Sequence, residues 1–464
     1  MSEPVAVTVE ANPRLPLAAK AAFGVGDFGL NVVYQGAGFF LLFVYTDVFG
    51  VRPSVAGAIY ALAMVWDAII DPLVGVLADR TRTRWGRYRP WILLGAAPLG
   101  LSYAAAYWNP GLAGAALVSW LALTHCVLRT AFAVASIPYS SLQARLSGDA
   151  RERTSLAGFR MIGAACGGLA VATITPVLVA RLATADSATG FLYAGGAAGV
   201  LVLAALLYVA IALREPVDAA AARVAPPFWS DLLAFFDQLR KNAPLAQAFG
   251  ILILGSIALS MFSKLILYYF KYVLHAPAGT ETLALVAVPV AMIVLVPLWV
   301  VLANRTSKRA AWMIGSCVSA LGLAALYLNP THDLKVVYPI IAVIAAGLSS
   351  VGVLAWAILP DTVEWGEAKL GVRHEAKVFG FSAFAQKSAL GFNAFLIGFA
   401  LEATGYIANA PQTPRASQAI AAMISLAPLA CIVATAAIMA FYPIDAKRHA
   451  ALQAEIAARR SAQV

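Results

Sequence analysis

Apolar residues run along this chain in blocks of about twenty, the length that carries a helix across the hydrocarbon of a bilayer. Short polar clusters separate the blocks. The blocks lie near residues 20–48, 54–79, 90–108, 112–134, 153–183, 190–213, 245–274, 281–303, 311–328, 334–359, 377–404 and 417–442. The pattern therefore predicts about twelve membrane-spanning helices. The breaks at Trp108–Gly111, Ala185–Gly190, Ala276–Glu281, Asn329–Asp333 and Asn409–Pro414 are rich in Gly, Pro, Asn and Asp, which is turn chemistry.

The pattern repeats. Pro72–Thr81 (PLVGVLADRT) leads from the second block into a basic loop and then to Trp91. Pro297–Thr306 (PLWVVLANRT) does the same after the eighth block and is followed by Trp312. Two halves of six spans related as parallel repeats are the architecture of a major facilitator, an all-α membrane fold of two six-helix bundles. The expected division is a tail at 1–19, a bundle at 20–213, a middle loop at 214–244, a second bundle at 245–442 and a tail at 443–464.

Charge then orients the chain. Arg80, Arg82, Arg84, Arg87 and Arg89 follow the second span. Later even-numbered connections hold Arg145, Arg151 and Arg153; Arg240 and Lys241; Arg305, Lys308 and Arg309; and Lys369, Arg373 and Lys377. Odd-numbered connections are short, with Arg52, Lys335 and Arg415 as their positive charges. The positive-inside rule places both termini in the cytoplasm. The first sixteen residues lack an apolar signal core and read as a short tail, so the first span directs insertion.

Composition agrees with this reading. The chain is 61% apolar and 12% charged, against about 45–50% and 25% in soluble domains. Its net charge of +10 reflects basic loops facing the cytoplasm and lipid headgroups. No stacking or base-reading module accompanies that charge, so nucleic acid is not an expected partner. Cys126, Cys166, Cys317 and Cys431 lie far apart in apolar segments and read as small buried hydrophobes. No nucleophile–base set, metal-ligand spacing or phosphate loop is present, so neither an enzyme nor a resident cofactor or structural metal is expected.

Within the second span, Asp67 and Asp71 are separated by four residues and so share one helix face. At the bilayer centre each charge opposes insertion by roughly 2.5–3.5 kcal/mol. At about 1.5 Å per residue, Asp67 falls near the midplane and Asp71 one turn closer to the cytoplasm. Two ionised carboxylates on one face repel, so a proton or a cation is expected between them, which makes a coupling site. The second half has Met292 and Val296 at the matching positions, so the first half alone supplies this charge. Lys387 lies mid-span in the eleventh block, too deep to snorkel. Arg160 lies about two turns into the fifth. Asp27 lies in the first, among Gly24, Gly26 and Gly29. Asn31, Tyr34, Gln35, Gln386 and Asn393 add amides and an aromatic ring. Such groups suit a polyhydroxylated ligand, and they equally suit helix packing.

Seven stretches, Gly26–Asn31, Tyr45–Gly50, Trp66–Gly75, Arg84–Leu93, Ser136–Leu142, Pro360–Glu375 and Phe384–Phe392, resemble the glycoside–pentoside–hexuronide cation symporters, the major-facilitator branch that includes the melibiose permease. The similarity covers nearly the whole chain in order. It implies that Asp67 and Asp71 form a cation site with Ser136 and Lys387 beside it, and that Asp27, Arg160 and Tyr34 line a sugar pocket. It also implies that cation and sugar cross together by alternating access. The chain departs from the melibiose-type pattern. Ile70 replaces an Asn, Ala133 and Ser136 replace a Thr and a third Asp, and Ser140 replaces an aromatic. A sodium ion at Asp67 and Asp71 would lose an amide, a hydroxyl and a carboxylate, whereas a proton needs one carboxylate, so the expected coupling ion is a proton ahead of sodium.

In the loops, Asp79, Arg80, Arg84 and Arg87 resemble a cytoplasmic gating motif, with Asp361, Glu364, Glu367 and Arg373 as its opposing partners. The tail from Asp445 to Arg460 reads either as a helix lying on the inner leaflet or as a frayed end. The expectation is a monomeric, bacterial inner-membrane symporter for a sugar or glycoside. The alternatives are a lysolipid or amphiphile symporter, which predicts an apolar cleft open sideways to lipid, and a membrane sensor that does not transport.

Overall fold

The computed structural model describes residues 15–146, 150–182, 186–215, 237, 239–371 and 375–461. The first bundle holds α1 (Leu17–Gly36), α2 (Pro53–Arg80), α3 (Arg89–Ala106), α4 (Gly114–Leu146), α5 (Ala150–Leu182) and α6 (Ser187–Ala212). The second holds α7 (Ala243–Tyr272), α8 (Glu281–Arg305), α9 (Lys308–Leu328), α10 (Leu334–Ala357), α11 (Leu359–Leu370), α12 (Glu375–Ala403) and α13 (Pro414–Ala440), with α14 (Ala446–Ser461) as a tail. Helix α1 continues through two π turns, Ala37–Leu41 and Val44–Val48.

The expected turn residues start and stop these helices. Asp186, Asn242, Ser307, Asp333 and Thr413 cap the amides that open α6, α7, α9, α10 and α13. Gly371 ends α11 at φ 69°, a conformation that disfavours side chains with a Cβ. Ten described segments are long and apolar enough to cross a membrane, and Leu334–Leu370 enters that set as one continuous unit. The outer faces are apolar. Val200, Leu207 and Ile211 project from α6, and Leu321 and Leu328 from α9. Surfaces of this kind fit lipid rather than water. Cys166 and Cys317 also lie on exposed surface, outside the core the sequence assigned them, because their helix positions point outward.

Among the described residues, the bundles meet mainly along two helix pairs, α2 with α12 and α5 with α8. The α2–α12 crossing is tight because glycine removes the side chain. A Cβ on Gly398 would sit 2.1 Å from the Pro53 carbonyl oxygen, and one on Gly57 would sit 2.9 Å from that of Ala394.

Both described chain ends lie on one face, the terminal face. The opposite, far face is bolted shut between the bundles. Buried Asp47, in the second π turn, accepts from Lys271 at 2.8 Å, from Tyr406 at 2.5 Å and from Tyr272. Thr46 bonds Tyr268 at 2.7 Å, and Glu402 accepts from the Ser54 amide at 3.0 Å. The tail is helical and docks on protein. Leu452 and Ile456 are buried, and α14 docks on α11 through Lys369–Glu455 and His449–Glu364. Its apolar face finds protein instead of lipid.

Candidate substrate and cation site

Asp67 and Asp71 stand one turn apart on α2, facing α4 and α12. Asp67 is 3% exposed. Lys387, brought in by the α2–α12 crossing, bonds the Asp71 carboxylate and lies 3.7 Å from that of Asp67. Arg129 on α4 approaches Asp67 at 3.7 Å from the other side. Trp66 Nε1 donates to Thr130 Oγ1 at 2.8 Å, which fixes the register of α2 against α4. Both 3.7 Å contacts are ion pairs longer than a hydrogen bond. Neither Asp67 oxygen has a hydrogen-bond partner among the described residues. A buried carboxylate in that condition is incompletely stabilised.

The sequence reading placed Ser136 in the cation site. The structure puts it seven residues past Arg129, two turns toward the terminal face, and gives the place beside Asp67 to a guanidinium. Arg129 was missed, as was Lys264. Both carry the signal that singled out Lys387: a charge inside an apolar span.

Between the bundles lies a cavity of about 210 Å³. Tyr34, Gln35 and Gln386 line it, as the sequence suggested, joined by Arg129, Lys264, Tyr60 and a row of serines on α7: Ser256, Ser260 and Ser263. Gln386 Nε2 donates to Ser256 Oγ at 3.2 Å. Tyr34 stacks on Phe132 at 6.0 Å. The first π turn widens α1 so that the Gly38 carbonyl accepts from Lys264 Nζ at 2.9 Å, and π turns recur at functional sites. Asn393 departs from its expected place. It is fully buried, does not line this cavity and leaves both amide atoms unbonded among the described residues.

Asp27 and Arg160 meet nearer the terminal face. Arg160 Nε donates to Asp27 Oδ2 at 2.9 Å, and its other nitrogens donate to Gln143 at 3.0 Å and Ser140 at 3.4 Å. The guanidinium lies 5.5 Å over the Tyr139 ring. It is held by protein groups rather than snorkelling. Asn31 donates to the Asp27 backbone carbonyl.

Asp79, Arg84, Asp361 and Glu364 each have partners within their own half. Asp79 accepts from Tyr88 at 2.7 Å, and Arg84 lies 5.7 Å over Trp85, both within the first bundle. Arg80 is exposed and Arg87 half-buried. Asp361 binds Lys308 at 2.8 Å, and Glu364 binds His449 at 2.7 Å, both within the second half. The expected inter-bundle bridges are absent from these pairs because the far face, not the terminal face, holds the bundles together. Arg373 lies outside the described residues.

Known proteins match this layout. Residues 22–446 match the family model described as MFS/sugar transport protein. An uncharacterized symporter, YnaJ, of Bacillus subtilis is 27% identical over 94% of both chains. The isoprimeverose transporter of Lactiplantibacillus pentosus is 28% identical over 93% of this chain and 89% of its own. The glucuronide carrier protein homolog of Escherichia coli is 27% identical, covering 97% and 98%. Among solved structures, a proton-dependent oligopeptide transporter superposes with a TM-score of 0.66 at 13% identity, covering 94% of this chain and 99% of that one. The nucleoside transporter NupG reaches 0.65 at 13% identity, covering 90% and 98%. The structural matches show the fold alone. With a buried Asp67 facing the seam between the two bundles and a family match along nearly its whole length, the chain belongs to the MFS sugar transport family, whose members are transporters rather than enzymes.

Proposed function

We propose that this facilitator imports a sugar or glycoside together with a proton, by alternating access, in a bacterial inner membrane with both termini in the cytoplasm. The observation that carries the reading is Asp67: buried, flanked by Arg129 and Lys387, with neither oxygen hydrogen-bonded among the described residues. Asp67 and Asp71 balance Arg129 and Lys387 charge for charge. Protonating either acid releases a cation that now ties α2 to α12 or to α4. The ties between the bundles therefore depend on the coupling proton. The groups around the acids favour a proton over sodium. Sodium needs several oxygen ligands, and here two cationic side chains occupy the neighbouring positions, with Ile70 and the distant Ser136 offering none. The closed far face and the gating acids held within their own half support an inward-facing state. The serine and amide lining of the cavity supports a hydroxyl-rich ligand over an amphiphile.

The test is uptake of a panel of labelled sugars into proteoliposomes under separately imposed proton and sodium gradients. A proton gradient should drive accumulation. Asp67→Asn and Asp71→Asn should abolish it while sparing exchange at equal concentrations. Full accumulation in both variants would refute the coupling role, and accumulation on sodium alone would reverse the assignment of the ion.

A further inference from the structure

Lys264 is 5% exposed and reaches the central cavity from α7. Its ammonium donates to the Gly38 carbonyl at 2.9 Å and lies 5.2 Å over the Tyr60 ring. No carboxylate lies within ion-pair distance of it among the described residues. Arg129 lines the same cavity, but Asp67 engages it. Around the cavity and its acids, three cations (Arg129, Lys264 and Lys387) face two carboxylates, Asp67 and Asp71. With Lys264 protonated, one positive charge is left over. A buried charge without a counter-charge is strongly disfavoured, and at membrane depth it marks a substrate or ion path. An ammonium has three protons to donate, and the Gly38 contact uses one. Ser260 of α7 and Gln35 of α1 line the same cavity, adding neutral donors that suit an anionic oxygen cluster.

We infer that Lys264 is the anchor of an anion subsite, and that the transported sugar carries one negative charge, a carboxylate or a sulfonate, docked there. This rests on the proposed proton–sugar symport and narrows its cargo. It has an energetic consequence. One proton and one monoanion cross with no net charge, so uptake is driven by the pH gradient and is indifferent to membrane potential.

The experiment uses the full chain in proteoliposomes with matched probes: methyl β-glucoside, methyl β-glucuronide and the 6-sulfonate of methyl glucoside. Binding is measured by competition and uptake under a pH gradient, with and without a potassium–valinomycin potential. Wild type should bind an acidic probe at least tenfold more tightly than the neutral one, about 1.4 kcal/mol. Lys264→Gln should erase that preference, and Lys264→Arg should keep part of it, since a charged hydrogen bond is worth roughly 1.5–3 kcal/mol. Preference for either acidic probe supports the subsite. Equal binding of the neutral probe and both acids by wild type overturns it, as does a preference that Lys264→Gln leaves intact. Where Lys264→Gln fails to fold, the wild-type preference and its indifference to potential decide. Potential-driven, proton-coupled uptake of the neutral sugar would sink the anion subsite and leave the symport standing. Failure of any gradient to drive any sugar would sink both.

Discussion

Lys387→Met removes the cation that bonds Asp71 and faces Asp67 at 3.7 Å. At that separation and an effective dielectric of 20, the Lys387–Asp67 attraction alone is about 4.5 kcal/mol before desolvation is counted. Deleting one partner of a buried pair typically destabilises by roughly 3–5 kcal/mol, because the other charge is stranded. The Lys387 and Asp71 side chains are 23% and 26% exposed, so water screens the pair and the expected loss falls at the low end, about 3 kcal/mol. The variant leaves two carboxylates against Arg129 alone. Lys387→Met with Asp71→Asn leaves one of each sign. The double variant should therefore recover most of the lost stability, with a coupling energy of roughly 1–3 kcal/mol between the sites. Thermal unfolding of the purified protein in detergent, at a pH near neutral, reads the stability of the four proteins in the cycle. Accumulation in proteoliposomes reads function. Stability should return in the double variant, and accumulation should not, because the coupling carboxylate is gone. A single variant as stable as wild type, or a double variant no better than the single, would show that Lys387 and Asp71 do not share a charge balance.

Three further expectations can be checked in the same system. Arg160→Gln or Asp27→Asn breaks the 2.9 Å contact between α1 and α5 and should weaken sugar binding about tenfold, as loss of a charged hydrogen bond does, with proton coupling spared; unchanged affinity in a competition assay removes both from the pocket. Asp47→Ala strips the acceptor shared by Lys271, Tyr272 and Tyr406, so a cysteine placed at Gly38 should react several-fold faster with an impermeant maleimide added from the far face; an unchanged rate shows the bolt is not what closes it. Gly38→Leu should block uptake while leaving the melting temperature near wild type, since a Cβ there meets nothing within 4 Å and the side chain would enter the cavity; normal uptake would mean the sugar passes elsewhere.

The sequence by itself determined the membrane class, the helix-length blocks and the facilitator repeat. Hydrocarbon thickness and unpaired backbone groups leave a chain this apolar little other choice. It also determined that Asp67 and Asp71 share a face, since a four-residue spacing fixes that locally. Lys387 and Arg160 stood out because charges are rare at such depth. Partnership was not legible. Arg129 beside Asp67, Lys264 on the Gly38 carbonyl and Asp47 under three donors are contacts between residues up to hundreds of positions apart. Nothing local encodes which helix will face which. Only the packed bundles decided that Arg129 rather than Ser136 meets the acid, that Asp361 stays with Lys308, and that the α14 tail lies on protein. Period and composition act along the chain, whereas charge balance acts across the gaps between helices, and those gaps exist only once the helices have docked.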